Sequence, residues 1–207
     1  MADVKWLGNT CFRIKSREAT VLMDPVARTG SVSMPKQKAD IVTRSMRGPA
    51  NALANVEGDY TLIDGPGEYE VQDVFLSGIR TRRNGGGVKE FNTVYLVEMD
   101  EMIFCHLGNL SKSLTEAQVE AMGDVDVLFV PIGGEESLSP AGATEVIGQI
   151  EPRLVIPMRY RIGDEAGKRA LGEFAAALGL TEVPREDRLT IRKNTLPETM
   201  GVTVLDV

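Results

Sequence analysis

The chain has 207 residues, of which 43% are apolar and 26% charged, and a formal net charge of −7. That acidic balance argues against general nucleic-acid or anionic-membrane binding, because both depend on clustered Lys and Arg neutralising phosphates. No run approaches the ~18 uninterrupted apolar residues of a membrane span, and residues 1–10 lack the basic-then-apolar layout of a secretory signal, so a cytoplasmic protein with one domain over residues 1–207 is expected.

The first third alternates like a sheet protein. Val4, Trp6, Phe12 and Ile14 bracket the turn-prone Gly8-Asn9, and residues 20–23 form a short β-branched and apolar run that ends at Asp24-Pro25. Residues 39–43 read as a third strand, stopped by Arg44-Ser45-Met46-Arg47-Gly48-Pro49, and residues 51–55 as a short helix. A further strand over 60–63 runs into Asp64-Gly65-Pro66-Gly67, where Pro66 fixes one dihedral and Gly67 permits the positive φ that follows. Residues 68–71, 74–80, 93–99 and 102–107 continue in strand-length pieces; Gly85-Gly86-Gly87 between them reads as a loop, not a phosphate fingerprint.

Organisation changes after Gly108. Thr115 and Gln118 have the spacing of a capping box, Ser139-Pro140 places a capping hydroxyl before a first-turn proline, and Asp164 can cap a helix over 165–178. Between these helices, 126–130 and 154–158 are nearly continuous apolar runs, as in strands buried on both faces, and 189–191 and 202–205 read as closing strands. A β-rich first half and an α/β second half fit either an α+β domain or a two-sheet sandwich with helices outside.

Chemistry-bearing residues are few. Cys11 and Cys105 sit among apolar strand residues and read as reduced core thiols, while His106 is the single histidine of the chain. Glu135-Glu136 read as a solvated charge pair.

Several segments in order carry a resemblance: Trp6-Leu7-Gly8-Asn9-Thr10-Cys11-Phe12, Leu22-Met23-Asp24-Pro25, Ala39-Asp40-Ile41-Val42, Gly65-Pro66-Gly67-Glu68-Tyr69, Cys105-His106-Leu107-Gly108-Asn109, Val130-Pro131-Ile132-Gly133-Gly134 and Ile156-Pro157-Met158-Arg159-Tyr160. Together they resemble the branch of metallo-β-lactamase-fold hydrolases similar to ascorbate-6-phosphate lactonases. The resemblance implies an α+β fold, a four-layer αββα sandwich, with one or two divalent ions held by loops at one edge of the sheets. It also implies a His-x-His-x-Asp-His cluster after the third strand, and there this chain places Met46, Gly48, Ala50 and Asn51. At the remaining implied ligand positions stand Arg83 or Arg82, Asn109, Lys112 and Arg159; Asp24 matches a loop-orienting aspartate, and His106 reads as a hydrogen-bonded core residue.

On these substitutions the expectation is a non-catalytic, metal-free member, a pseudoenzyme with a degenerate metal site, no cofactor and no metal-dependent hydrolase activity. If the loops keep the family's geometry, Arg83, Lys112 and Arg159 converge, with Arg47 and Arg161 near the rim and Asn51 and Asn109 adding neutral hydrogen bonds, as a site for a small anionic or phosphorylated metabolite. The other reading of these cations is ordinary surface charge. Two further functional readings stand beside it: a metal-dependent hydrolase with relocated ligands, and a homo-oligomeric interaction subunit.

Overall fold

The computed structural model describes residues 1–29, 32–48, 51–82, 91–133 and 136–207, with residues 28, 29 and 32 as backbone only. Two large sheets face one another. The first, six-stranded, runs in the order Leu189–Ile191, Ala2–Trp6, Phe12–Lys15, Thr20–Met23, Ile41–Thr43, Thr61–Ile63. Its last two pairings are parallel and the others antiparallel. The second, seven-stranded, is an antiparallel meander of Gly67–Val71, Val74–Arg82, Phe91–Met99 and Met102–His106, continued in parallel by Val127–Pro131, Leu154–Met158 and Gly201–Val202.

Strand periodicity explains how the first sheet is buried on both faces. Val21, Met23 and Ile41 enter the main core between the sheets, where Phe12 meets Phe129 with ring centroids 4.3 Å apart, while the alternate residues Leu22 and Val42 point the other way. Those outward residues join Leu7, Cys11, Met34 and Ala39 in a smaller core. Its lid is turns and two-residue strands instead of α-helices, so the outer layer on this side of the sandwich is irregular among the described residues. The expected helix over 51–55 is accordingly absent. Ala54 and Val56 bond back only three residues, to Asn51 and Leu53, and Asn55 Nδ2 donates to the Met34 carbonyl at 2.7 Å. Five residues do not repay helix nucleation, and the asparagine amide gains more by stitching the lid together.

The second sheet carries the helices. Thr115 caps α1 (Glu116–Met122) with a complete capping box, Ser139 caps α2 (Pro140–Ile150), and Asp164 caps α3 (Glu165–Ala177), each at the position its sequence signature gives. α2 is the crossover between the parallel Val127–Pro131 and Leu154–Met158 strands, and its Ala143, Val146 and Ile147 join the main core with Phe174 of α3. No helix is long and apolar enough to cross a membrane among the described residues.

Candidate active site

Five parallel or adjoining strands end at Met23, Thr43, His106, Pro131 and Met158, and the loops that follow them are stitched together. Asp24, next after Met23, takes a left-handed φ of 45° and is buried. Its Oδ1 accepts from the Ser45 amide at 2.6 Å, which fixes the loop after Thr43 as the sequence reading of Asp24 supposes. Its Oδ2 is buried without a hydrogen-bond partner among the described residues. A carboxylate oxygen withdrawn from water and left unpaired costs free energy that a hydrogen-bond donor or a cation would relieve.

Ser45 then reaches the second sheet. Its Oγ lies 3.5 Å from His106 Nδ1, and its carbonyl accepts from the Thr93 amide at 2.8 Å. His106 Nε2 lies 2.8 Å from the Thr10 carbonyl, an acceptor only, so Nε2 carries the proton and Nδ1 receives the serine hydroxyl. Burial holds the imidazole pKa below its ordinary value, against the opposing pull of Asp24 and of the Thr10 carbonyl, so the ring is neutral. His106 is the hydrogen-bonded core histidine its sequence position suggests. Both cysteines are free and buried, and burial pushes each thiol pKa far above its usual range, with Asp24 adding to the effect at Cys11.

A second buried knot holds the turn after His106. Asn92 is fully buried; its Nδ2 donates to the Leu107 carbonyl at 3.0 Å and to Thr81 Oγ1 at 3.1 Å, and its Oδ1 accepts from the Asn109 amide at 2.8 Å. Gly108 between them has φ +59°, and a Cβ there would stand 2.4 Å from Ser45 and 2.6 Å from Asn92 Oδ1. Only glycine lets the backbone pass.

The sequence-predicted residues distribute as follows. Arg83 and Ala50 lie outside the described residues, as does the Gly85-Gly86-Gly87 loop. Arg159 has φ 58°, its amide donates to the Asn9 carbonyl at 3.0 Å, and its Nη1 donates to the Gly133 carbonyl at 3.2 Å, so it ties two loops together. Lys112 is exposed and lines a pocket with Arg80 and Arg82. Asn109 is half-buried and held through its backbone; Arg47 and Asn51 are exposed. Ser45, Asn92 and Thr10 were not among the residues singled out. Their roles come from partners 61, 17 and 96 residues away, which no local spacing signals.

A divalent ion of the family kind does not fit the described residues: among them no group of three or more His, Cys, Asp and Glu side chains could hold a metal. Asp24 Oδ2 is the one unpaired buried carboxylate at these loops among the described residues of the site.

A sandwich of this topology, with loops gathered beyond the strand ends, defines a metallo-β-lactamase-type fold. Residues 3–159 match the beta-lactamase superfamily domain, and the chain belongs to that superfamily in its metallo-β-lactamase form. A UPF0173 protein of Pyrococcus furiosus is 31% identical over 182 residues, covering 79% of this chain and 85% of its own. A UPF0173 metal-dependent hydrolase of Pyrococcus horikoshii is 32% identical over 214 residues, covering 84% of this chain and 94% of its own. Among solved structures, a Thermotoga maritima protein assigned as a Zn-dependent hydrolase of the metallo-β-lactamase superfamily shares 31% identity, with TM-score 0.83 over 99% of this chain and 98% of its own.

These relatives correct the expectation of a non-catalytic pseudoenzyme with a degenerate metal site. A near-full-length relative at this identity is named a metal-dependent hydrolase, and the structural neighbour is assigned as Zn-dependent. The expectation weighed the donors at the matched ligand positions, where Met46, Gly48, Asn51, Asn109, Lys112 and Arg159 stand, and ligands placed elsewhere in the chain fall outside such a comparison.

Proposed function

We propose that this chain is a metal-dependent hydrolase whose donors are relocated from the histidine positions implied by the family resemblance, acting where the loops after Met23, Thr43, His106 and Met158 meet. The observation that carries the reading is the end-to-end likeness, at 31% identity and TM-score 0.83, to a protein assigned as a Zn-dependent hydrolase. The chain's own residues support a rigid site. Asp24 orients the Ser45 loop, His106 is locked as the neutral tautomer, and Asn92 fixes the Gly108 turn. A divalent ion, once held by this chain, would supply polarisation of the scissile group and an activated water. The described residues do not assemble that ion's full donor set.

The test is a screen of carboxylic esters, lactones, thioesters and phosphodiesters with the full chain supplied with zinc or manganese. Turnover of one class above the buffer rate is the expected result. Elemental analysis of the same preparation then shows whether an ion is retained.

A further inference from the structure

A pocket of about 500 Å³ opens where the Val74–Arg82 and Phe91–Met99 strands meet the loop leading into α1. In the antiparallel register Arg82 lies opposite Phe91 and Arg80 opposite Thr93. The two-residue period of the strands therefore puts both guanidiniums and the Phe91 ring on one face, while Thr81 turns inward and is buried. The Arg80 guanidinium carbon sits 4.8 Å from the centre of the Phe91 ring, which orients the cation at the pocket. Lys112 comes from the loop after His106, and Gln118 Nε2 donates to the Arg80 carbonyl at 2.8 Å, holding α1 against the strand.

The charge is the anomaly. In a chain with 30 acidic residues and a net charge of −7, three cations and no carboxylate stand among the described residues that line this pocket. Like charges held around an open volume repel one another, and that cost is offset when an anion of matching charge enters. Guanidinium forks match phosphoryl oxygens, the ammonium adds a point charge, and Phe91, 40% exposed, offers a ring face beside them.

We propose that this pocket binds a small phosphorylated compound, its phosphoryl group held by Arg80, Arg82 and Lys112 and its ring or apolar body laid against Phe91. The volume suits a metabolite-sized ligand. The inference stands on the pocket alone, and binding is measured without turnover, so its failure and the failure of the hydrolase reading are separate events.

Calorimetric titration of the full chain with phenylphosphonate tests it, since this probe carries a ring and a phosphoryl group but no hydrolysable ester. Inorganic phosphate and phthalate, a ring dicarboxylate, serve as comparisons. The expected result is saturable binding of phenylphosphonate about tenfold or more tighter than phosphate, weakening as salt is added. An Arg82→Gln, Lys112→Gln double variant should bind it about tenfold or more weakly, and Phe91→Ala should erase the advantage over phosphate, with melting temperatures unchanged because all three side chains are exposed. Absence of saturable binding, equal affinity in the double variant, or tighter binding of phthalate would overturn the proposal.

Discussion

The Thr93 amide donates to the Ser45 carbonyl at 2.8 Å, fastening the loop that leaves the first sheet to a strand of the second. Around this bond lie Asp24, His106, Asn92 and Gly108, each held by at least one contact from a distant part of the chain. The site is thus built from long-range pairs, and its stability is open to test residue by residue.

Gly108→Ala should cost about 3 kcal/mol or more, because a left-handed φ is combined with overlap on Ser45 and Asn92. Gly179→Ala is the control: its φ is +71° but nothing lies within 4 Å, so it should cost only about 1 kcal/mol. Urea unfolding of the two variants checks the difference. Equal losses would mean that the Gly108 turn is not packed against Ser45.

Asn92→Ala removes three hydrogen bonds in a fully buried setting and strands the Asn109 amide, while the Leu107 carbonyl keeps only its bond from the Leu110 amide. A loss of about 2–4 kcal/mol is expected from the same unfolding assay. A loss under about 1 kcal/mol would show that water replaces the side chain there.

His106 sets a pH dependence. Its folded pKa lies below the ordinary value, so between about 6.5 and that lowered value the unfolded chain binds a proton that the folded chain does not. Stability from this group is present above about pH 6.5 and is lost as pH falls through the window. His106→Gln should flatten the low-pH side of the stability profile after its own constant loss is subtracted. An unchanged slope would contradict a buried neutral ring.

The thiols make the complementary prediction. With both cysteines buried and their pKa values pushed up, a thiol reagent should label the native chain only at the rate of opening and both thiols at once in denaturant. Rapid labelling of one thiol in the native state would place it at the surface.

Much of this architecture was readable because its signals are local. Thr115 with Gln118, Ser139 before Pro140, and Asp164 before the Glu165–Ala177 helix each act within four residues, and each caps where expected. Strand order was a different matter. Ala2–Trp6 pairs with Leu189–Ile191 from the far end of the chain, a choice made by the shared core and not by either segment's pattern. In the site, the roles of Asp24 and His106 followed from the resemblance, but Ser45 and Asn92 gain their roles only through distant partners. The functional expectation erred in setting the matched ligand positions above the alternative of relocated donors, and the relatives' assignments correct it.

The most direct test of the central claim is steady-state hydrolysis across the ester, lactone, thioester and phosphodiester panel, before and after dialysis against a chelator and again after zinc or manganese is returned. A metal-dependent hydrolase with relocated donors turns over one class, loses that activity on dialysis and regains it with metal. Rates equal to buffer for every class, with either ion present, would contradict it.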